Sequence, residues 1–96
     1  MAIIPLTRGQ VSLVSDEDFV RVSAFKWCAR PILSVSGGYY AYRTVRRDGV
    51  KRTLYLHRFI LDLESYHGVV DHANGNGLDN RRLNLRVATQ SLNNAN

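Results

Sequence analysis

With a single cysteine, Cys28, the chain can close no intramolecular disulfide and can build no cysteine-based zinc site. That suits a reducing compartment. Residues 1–20 lack the apolar core of a secretory signal, and no apolar run reaches membrane-spanning length. A soluble, cytoplasmic protein is expected, with no membrane partner. Neither an internal repeat nor a long linker interrupts the 96 residues, and 45% of them are hydrophobic. One domain spanning residues 1–96 with a modest core follows.

Acidic residues are scarce where basic ones are dense. The net charge is +5 and the pI about 9.9, which favours a polyanionic partner. Residues 26–58 hold eight cations, Lys26, Arg30, Arg43, Arg46, Arg47, Lys51, Arg52 and Arg58, against one acid, Asp48. Residues 80–96 add Arg81, Arg82 and Arg86 with no acid, whereas Asp16, Glu17 and Asp18 cluster near the N-terminus. A basic middle and tail suit a phosphate backbone. The residues expected to meet DNA are Arg43, Arg46, Arg47, Lys51, Arg52, Arg58, Arg81, Arg82 and Arg86. A solvated basic surface kept for solubility is the plainer reading of the same charges.

Taken in order, Ile3-Ile4-Pro5-Leu6 and Val11-Ser12-Leu13-Val14 read as a hairpin around Arg8-Gly9. Ser15 offers an N-cap, with Asp16, Glu17 and Asp18 in the first turn of a short helix through Ala24. Trp27 and Cys28 begin a strand. After a Gly37-Gly38 turn, residues 39–45 read as a strand paired with residues 51–56 across Asp48-Gly49. The alternation of Tyr40, Tyr42 and Thr44 with Tyr39, Ala41 and Arg43 implies one covered face and one wet face. Residues 57–63 look like a short helix turning Phe59, Ile60 and Leu63 to the core. The fold class is α+β, a small N-terminal antiparallel sheet with short helices.

The last quarter carries the chemistry. Two β-branched runs, Val69-Val70-Asp71-His72 and Leu85-Arg86-Val87-Ala88-Thr89, flank a loop rich in Gly, Asn and Asp. A polar segment able to start a helix at Gln90 follows. Asp71 and His72 end the first strand, Asn84 opens the second, and Asn93 lies in the helix's first turn. A carboxylate and an amide oxygen are hard ligands suited to Mg²⁺, and a neutral imidazole beside them can take a proton from water. That inventory suits phosphodiester hydrolysis.

At these residues the chain resembles the HNH nucleases, in the form whose third position is Asn. Leu56-His57-Arg58, Val70-Asp71-His72, Asp79-Asn80-Arg81-Arg82, Asn84-Leu85-Arg86 and Asn93-Asn94 are similar to phage HNH homing endonucleases. The likeness extends weakly upstream through Ile4-Pro5-Leu6-Thr7, Lys26-Trp27 and Tyr40-Ala41. It implies a basic β-rich part over residues 1–66 and a ββα-metal motif over residues 67–96. The implied activity is metal-dependent DNA cleavage by a phage-encoded protein acting in its host cell. Asp71 and Asn93 would hold one divalent ion, Mg²⁺ or else Mn²⁺, while His72 would deprotonate the attacking water. Asn84 would hold the loop and orient His72 from across the hairpin. Arg86, two residues along the same strand face, would contact a phosphate. Successive strand residues point to opposite faces, so this arrangement requires the strand to end or twist between Asp71 and His72. Some relatives brace the motif with a four-cysteine zinc cluster, which this chain lacks the residues to build, so no structural zinc is expected.

Each residue also has a plainer reading. His72 alone would be an ordinary loop histidine; its setting among Asp71, Asn84 and Asn93 makes it catalytic. His57 either supports the core or reaches a phosphate, and His67 is solvated. Asn74-Gly75 and Asn76-Gly77 are turn formers, and Phe25, Trp27, Tyr40 and Tyr42 read as core rather than base-stacking platforms. Relatives usually continue beyond the third motif position, whereas this sequence ends at Asn96. It is therefore either minimal or the front portion of a longer protein, and the basic sheet over residues 39–58 is the best candidate for DNA contact. A non-catalytic nucleic-acid-binding module remains the alternative.

Overall fold

A computed structural model describes residues 1–33, 36–63 and 68–88. It is mixed α and β, with three small sheets and two short helices among these residues, packed around a core. Strand β1 (Ala2–Pro5) pairs antiparallel with β2 (Val11–Val14), and the turn between them puts Arg8 and Gly9 at φ of 61° and 69°. The expected hairpin forms. On β2 the alternation sends Ser12 and Val14 inward together, so a hydroxyl is buried beside a valine and needs partners.

The helix expected after Ser15 is split into a 3₁₀ turn, Asp16–Asp18, and the single α-helical stretch α1, Phe19–Ser23. Ser15 makes no side-chain cap; its hydroxyl accepts from the Arg82 backbone N–H at 3.0 Å. A distant turn has taken the cap residue. Trp27 closes the segment, its indole N–H donating to the Val22 carbonyl.

The second sheet is β3 (Cys28–Pro31), β4 (Tyr39–Arg47) and β5 (Val50–Tyr55), all antiparallel. Asp48 and Gly49 both have positive φ, 52° and 78°. That is the two-residue turn whose twist suits a hairpin. Ala41 and Leu54 face the core, whereas beyond Thr44 and Thr53 the hairpin projects with both faces largely open to solvent. Helix α2 (Leu56–Ile60) follows and buries Leu56, His57 and Ile60. It starts one residue earlier and ends sooner than residues 57–63.

The third sheet is the hairpin foreseen in the last quarter: β6 (Val69–His72) pairs antiparallel with β8 (Leu85–Ala88), in a register that sets Asp71 opposite Arg86 and His72 opposite Leu85. Between them lies an element that the turn-rich sequence hides. Asp79 and Asn80 form β7, two residues long and parallel to β2. Leu78 enters the core beside Ile4, Val14, Val22, Trp27, Leu56 and Ile60, tying the loop to the N-terminal hairpin 66 residues away. The helix expected from Gln90, with Asn93 and Asn94, lies outside the described residues, as does His67.

Candidate functional site

The site is built on the loop joining β6 to β8. Asn84 does not open the strand; it closes a 3₁₀ turn, Arg82–Asn84, and is buried. Its side-chain oxygen accepts from the Asn74 backbone N–H, and its amide donates to Asn74 Oδ1 and to the Asp79 carbonyl. The Asn84 carbonyl accepts from Ala73 N at 2.8 Å. Asn84 thus pins both arms of the loop. Because the strand begins only at Leu85, two-residue alternation does not carry from Arg86 back to Asn84. Asn84 is buried in the loop, whereas Arg86 is 60% exposed.

Asp79 is almost fully buried and is met by a two-point Arg81 guanidinium, both bonds 2.7 Å, and by the Asn74 amide. The Arg81 hydrogen bonds hold its carboxyl below the ordinary aspartate range despite burial. Gly75 takes φ of 77°, as a turn glycine does. Gly77 serves another purpose. A Cβ there would run into the Tyr39 carbonyl and lie 2.7 Å from the Tyr40 ring, so only glycine lets the loop close onto β4.

Tyr40 leads to the histidines. Its ring stacks on His72 at 5.9 Å between centroids and lies 5.7 Å from His57. The two imidazoles meet edge to face at 4.9 Å, and Tyr55 stacks on His57 at 5.5 Å. His57 is buried with its Nδ1 lacking any partner among the described residues, and burial, reinforced by His72 and Arg58, pushes its pKa down to about 3. It stays neutral. His72 is also buried, and its Nε2 lies 2.9 Å from the side-chain oxygen of Asn80. The ring's partner is therefore Asn80, not Asn84. Asn80 itself is wholly buried, and its amide donates to Ser12 Oγ. The sequence marks Asn80 only as part of the Asp79-Asn80-Arg81-Arg82 run, because its partners Ser12 and His72 are set by contacts distant along the chain.

Asp71 and His72 both belong to β6 and point apart as strand geometry demands, so the strand neither ends nor twists between them as the expected arrangement requires. His72 turns inward, whereas Asp71 is about half exposed, with one oxygen accepting from the His72 backbone N–H and the other from Arg86 at 2.5 Å. The Arg86 hydrogen bond, foremost, lowers the Asp71 carboxyl below its usual range.

The cations expected to bind DNA divide into two groups. Arg81, Arg82 and Arg86 are engaged by Asp79, Asp18 and Asp71, and Arg58 donates to the carbonyls of Leu63 and Gly68. Arg43 lies over the Phe25 ring at 4.0 Å. Arg46, Arg47, Lys51 and Arg52 are exposed on the β4–β5 hairpin, and among the described residues no carboxylate pairs with Arg46, Lys51 or Arg52. No helix is long and apolar enough to cross a membrane among the described residues. No family model, no curated protein and no solved structure matches the chain.

Proposed function

We propose that the chain is an HNH-type, metal-dependent DNA endonuclease whose loop between β6 and β8 forms the strand–loop–strand part of a ββα-metal motif. One observation carries this reading most: Asp71-His72 ends β6, directly across from the Asn84 turn that pins the loop. His72 has one ring nitrogen engaged by Asn80 and no described partner for the other.

The donor chemistry fits a hard, hydrated cation. Asp71 presents a half-exposed carboxylate that Arg86 meets at one oxygen, and among the described residues no three His, Cys, Asp or Glu side chains converge into a closed cage. Mg²⁺, and equally Mn²⁺, is held through one or two carboxylate or amide oxygens and keeps several waters; Asp71 with Asn93 would supply those oxygens. When bound, the ion supplies charge neutralisation at the scissile phosphate and at the departing 3′ oxygen. His72 takes a proton from the attacking water as that water displaces the 3′ oxygen in line, leaving 5′-phosphate and 3′-hydroxyl ends. Asn84 holds in place the loop that follows directly on both residues. The exposed hairpin cations draw in the duplex.

A second reading, a nucleic-acid-binding module without catalysis, draws on the same polar network: Asp71 already has an ion-pair partner, and His72 is largely buried. Supercoiled plasmid separates the two. Incubation with Mg²⁺ or Mn²⁺ is expected to yield relaxed or linear DNA, and EDTA to stop it. His72→Ala is expected to slow cleavage by about 10²- to 10⁴-fold, the usual contribution of a general base, while a gel-shift assay still shows binding. No metal-dependent cleavage by the wild type would sink the nuclease assignment, and wild-type cleavage by His72→Ala would sink the role given to His72.

A further inference from the structure

We infer that Ser12 and Asn80 together lock His72 in the tautomer that carries its proton on Nε2, leaving Nδ1 as the proton-accepting atom. Three consecutive hydrogen bonds force the assignment. Ser12 Oγ lies 2.9 Å from the Leu78 carbonyl oxygen, and two oxygens approach so closely only with a proton between them. A carbonyl has no proton to give, so the Ser12 hydroxyl donates. Its oxygen then offers only lone pairs to Asn80, and the Asn80 atom 2.8 Å away must be the amide nitrogen. That turns the Asn80 oxygen toward His72, 2.9 Å from Nε2. An amide oxygen only accepts, so Nε2 carries the hydrogen, and a neutral imidazole with one proton keeps its lone pair on Nδ1.

The reverse orientation of Asn80 fails at Ser12. The hydroxyl would then donate to Asn80, and two lone-pair oxygens would face each other at the Leu78 carbonyl. That carbonyl already accepts from Leu13 N at 2.8 Å; it loses nothing by lacking Ser12, so repulsion, not an unmet bond, decides the matter. Ser12 and Asn80 have no exposed surface and His72 is buried, so solvent offers these groups no competing partners. The chain of bonds starts on β2, passes through β7 and ends on β6. Pairing β7 in parallel with β2, Val14 opposite Asn80, is what brings Ser12 within reach.

The consequence for catalysis rests on the proposed nuclease reading: Ser12 and Asn80 are positioning residues that set which nitrogen of His72 meets the water. A third group that fixes the tautomer of a catalytic histidine can govern rate without touching substrate. The tautomer itself does not depend on that reading.

The test is ¹⁵N-histidine NMR of the full chain at mildly alkaline pH, which distinguishes a protonated ring nitrogen from a bare one, run beside plasmid nicking with Mg²⁺. Wild-type His72 is expected to show a protonated-type Nε2 and a bare-type Nδ1. The opposite pattern overturns the inference. Asn80→Leu is expected to give a mixture of tautomers and to cut nicking by about 10- to 100-fold, part of a general base's contribution. Asn80→Asp, whose carboxylate oxygen toward Nε2 only accepts, is expected to keep Nε2 protonated. Ser12→Ala frees the amide to turn over and also gives a mixture, and it carries the test if Asn80→Leu does not fold. An unchanged tautomer in Ser12→Ala overturns the lock. Expected tautomers in a wild type that never nicks DNA would uphold the lock and refute the nuclease reading instead.

Discussion

The loop over residues 73–84 and the β4–β5 hairpin tip over residues 44–53 are both polar, turn-containing and rich in arginine, yet they are opposite in kind. In the loop, Asn74, Asp79, Asn80, Arg81, Arg82 and Asn84 use one another, or the N-terminal segment, as partners. Four consecutive residues, Gly77 to Asn80, are buried. At the hairpin tip Arg46, Lys51 and Arg52 stand exposed with no carboxylate partner among the described residues. Charge in a sequence is thus an ambiguous signal. An arginine that has found an acid inside the molecule supports the fold, whereas one left without an acid is available to a phosphate.

If that division is right, the largest effect on DNA binding comes from the hairpin. Replacing Arg46, Lys51 and Arg52 with alanine is expected to weaken binding about a hundredfold near 0.1 M salt. It should also reduce the slope of log affinity against log salt by about 2.7, three contacts at roughly 0.9 each. Thermal stability should hardly change, since none of the three is buried. Competition titrations at three or four salt concentrations measure the slope. An unchanged slope would move the DNA surface off the hairpin.

The converse experiment touches Arg82. Its guanidinium donates to both oxygens of Asp18, which is 2% exposed, and reaches the Ile60 carbonyl. Among the described residues Asp18 keeps only Arg21 at 3.6 Å if Arg82 is removed. A buried carboxylate left poorly paired is costly, and because Arg82 is itself partly exposed the expected loss is about 2 kcal/mol for Arg82→Ala. Urea unfolding measures it. A stable Arg82→Ala protein with lost DNA binding would return Arg82 to the DNA surface and erase the distinction between the two regions.

The same contrast explains what the sequence disclosed. The β1–β2 hairpin, the β4–β5 hairpin and the strand ending in Asp71-His72 announce themselves through β-branched and aromatic runs bounded by turn residues, so their placement from sequence is close. The loop was opaque. A two-residue strand is too short for periodicity, and its partner Val14 is distant in sequence. Asn80 therefore stood out only as part of the Asp79-Asn80-Arg81-Arg82 run, not as the residue that holds His72. Gly77 also read as a turn glycine, although its role is close approach to Tyr39 and Tyr40. Ser15 looked like a helix cap because local rules cannot see Arg82 arriving from the far end of the chain. Local pattern disclosed the sheets; contacts across the chain assembled the site.

The smallest effect on stability, and the most informative for the metal, belongs to Arg86. Its pair with Asp71 lies at the surface, the two side chains 60% and 55% exposed, where an ion pair contributes less than about 1 kcal/mol. Arg86→Leu is therefore expected to unfold at nearly the wild-type urea concentration. Its effect on the carboxylate should be larger. Asp71 loses the hydrogen bond that chiefly lowers its pKa, and with it the cation bonded to one of its oxygens. Under the proposed function the guanidinium and Mg²⁺ compete for one carboxylate, so Arg86→Leu should bind Mg²⁺ several-fold more tightly when DNA is absent. Calorimetric titration of the free protein isolates this from any loss of phosphate contact. Weaker Mg²⁺ binding would show that Arg86 aims the carboxylate rather than contesting it. The Asp71–Arg86 pair would then belong with the tightly cross-braced loop, not with the open hairpin.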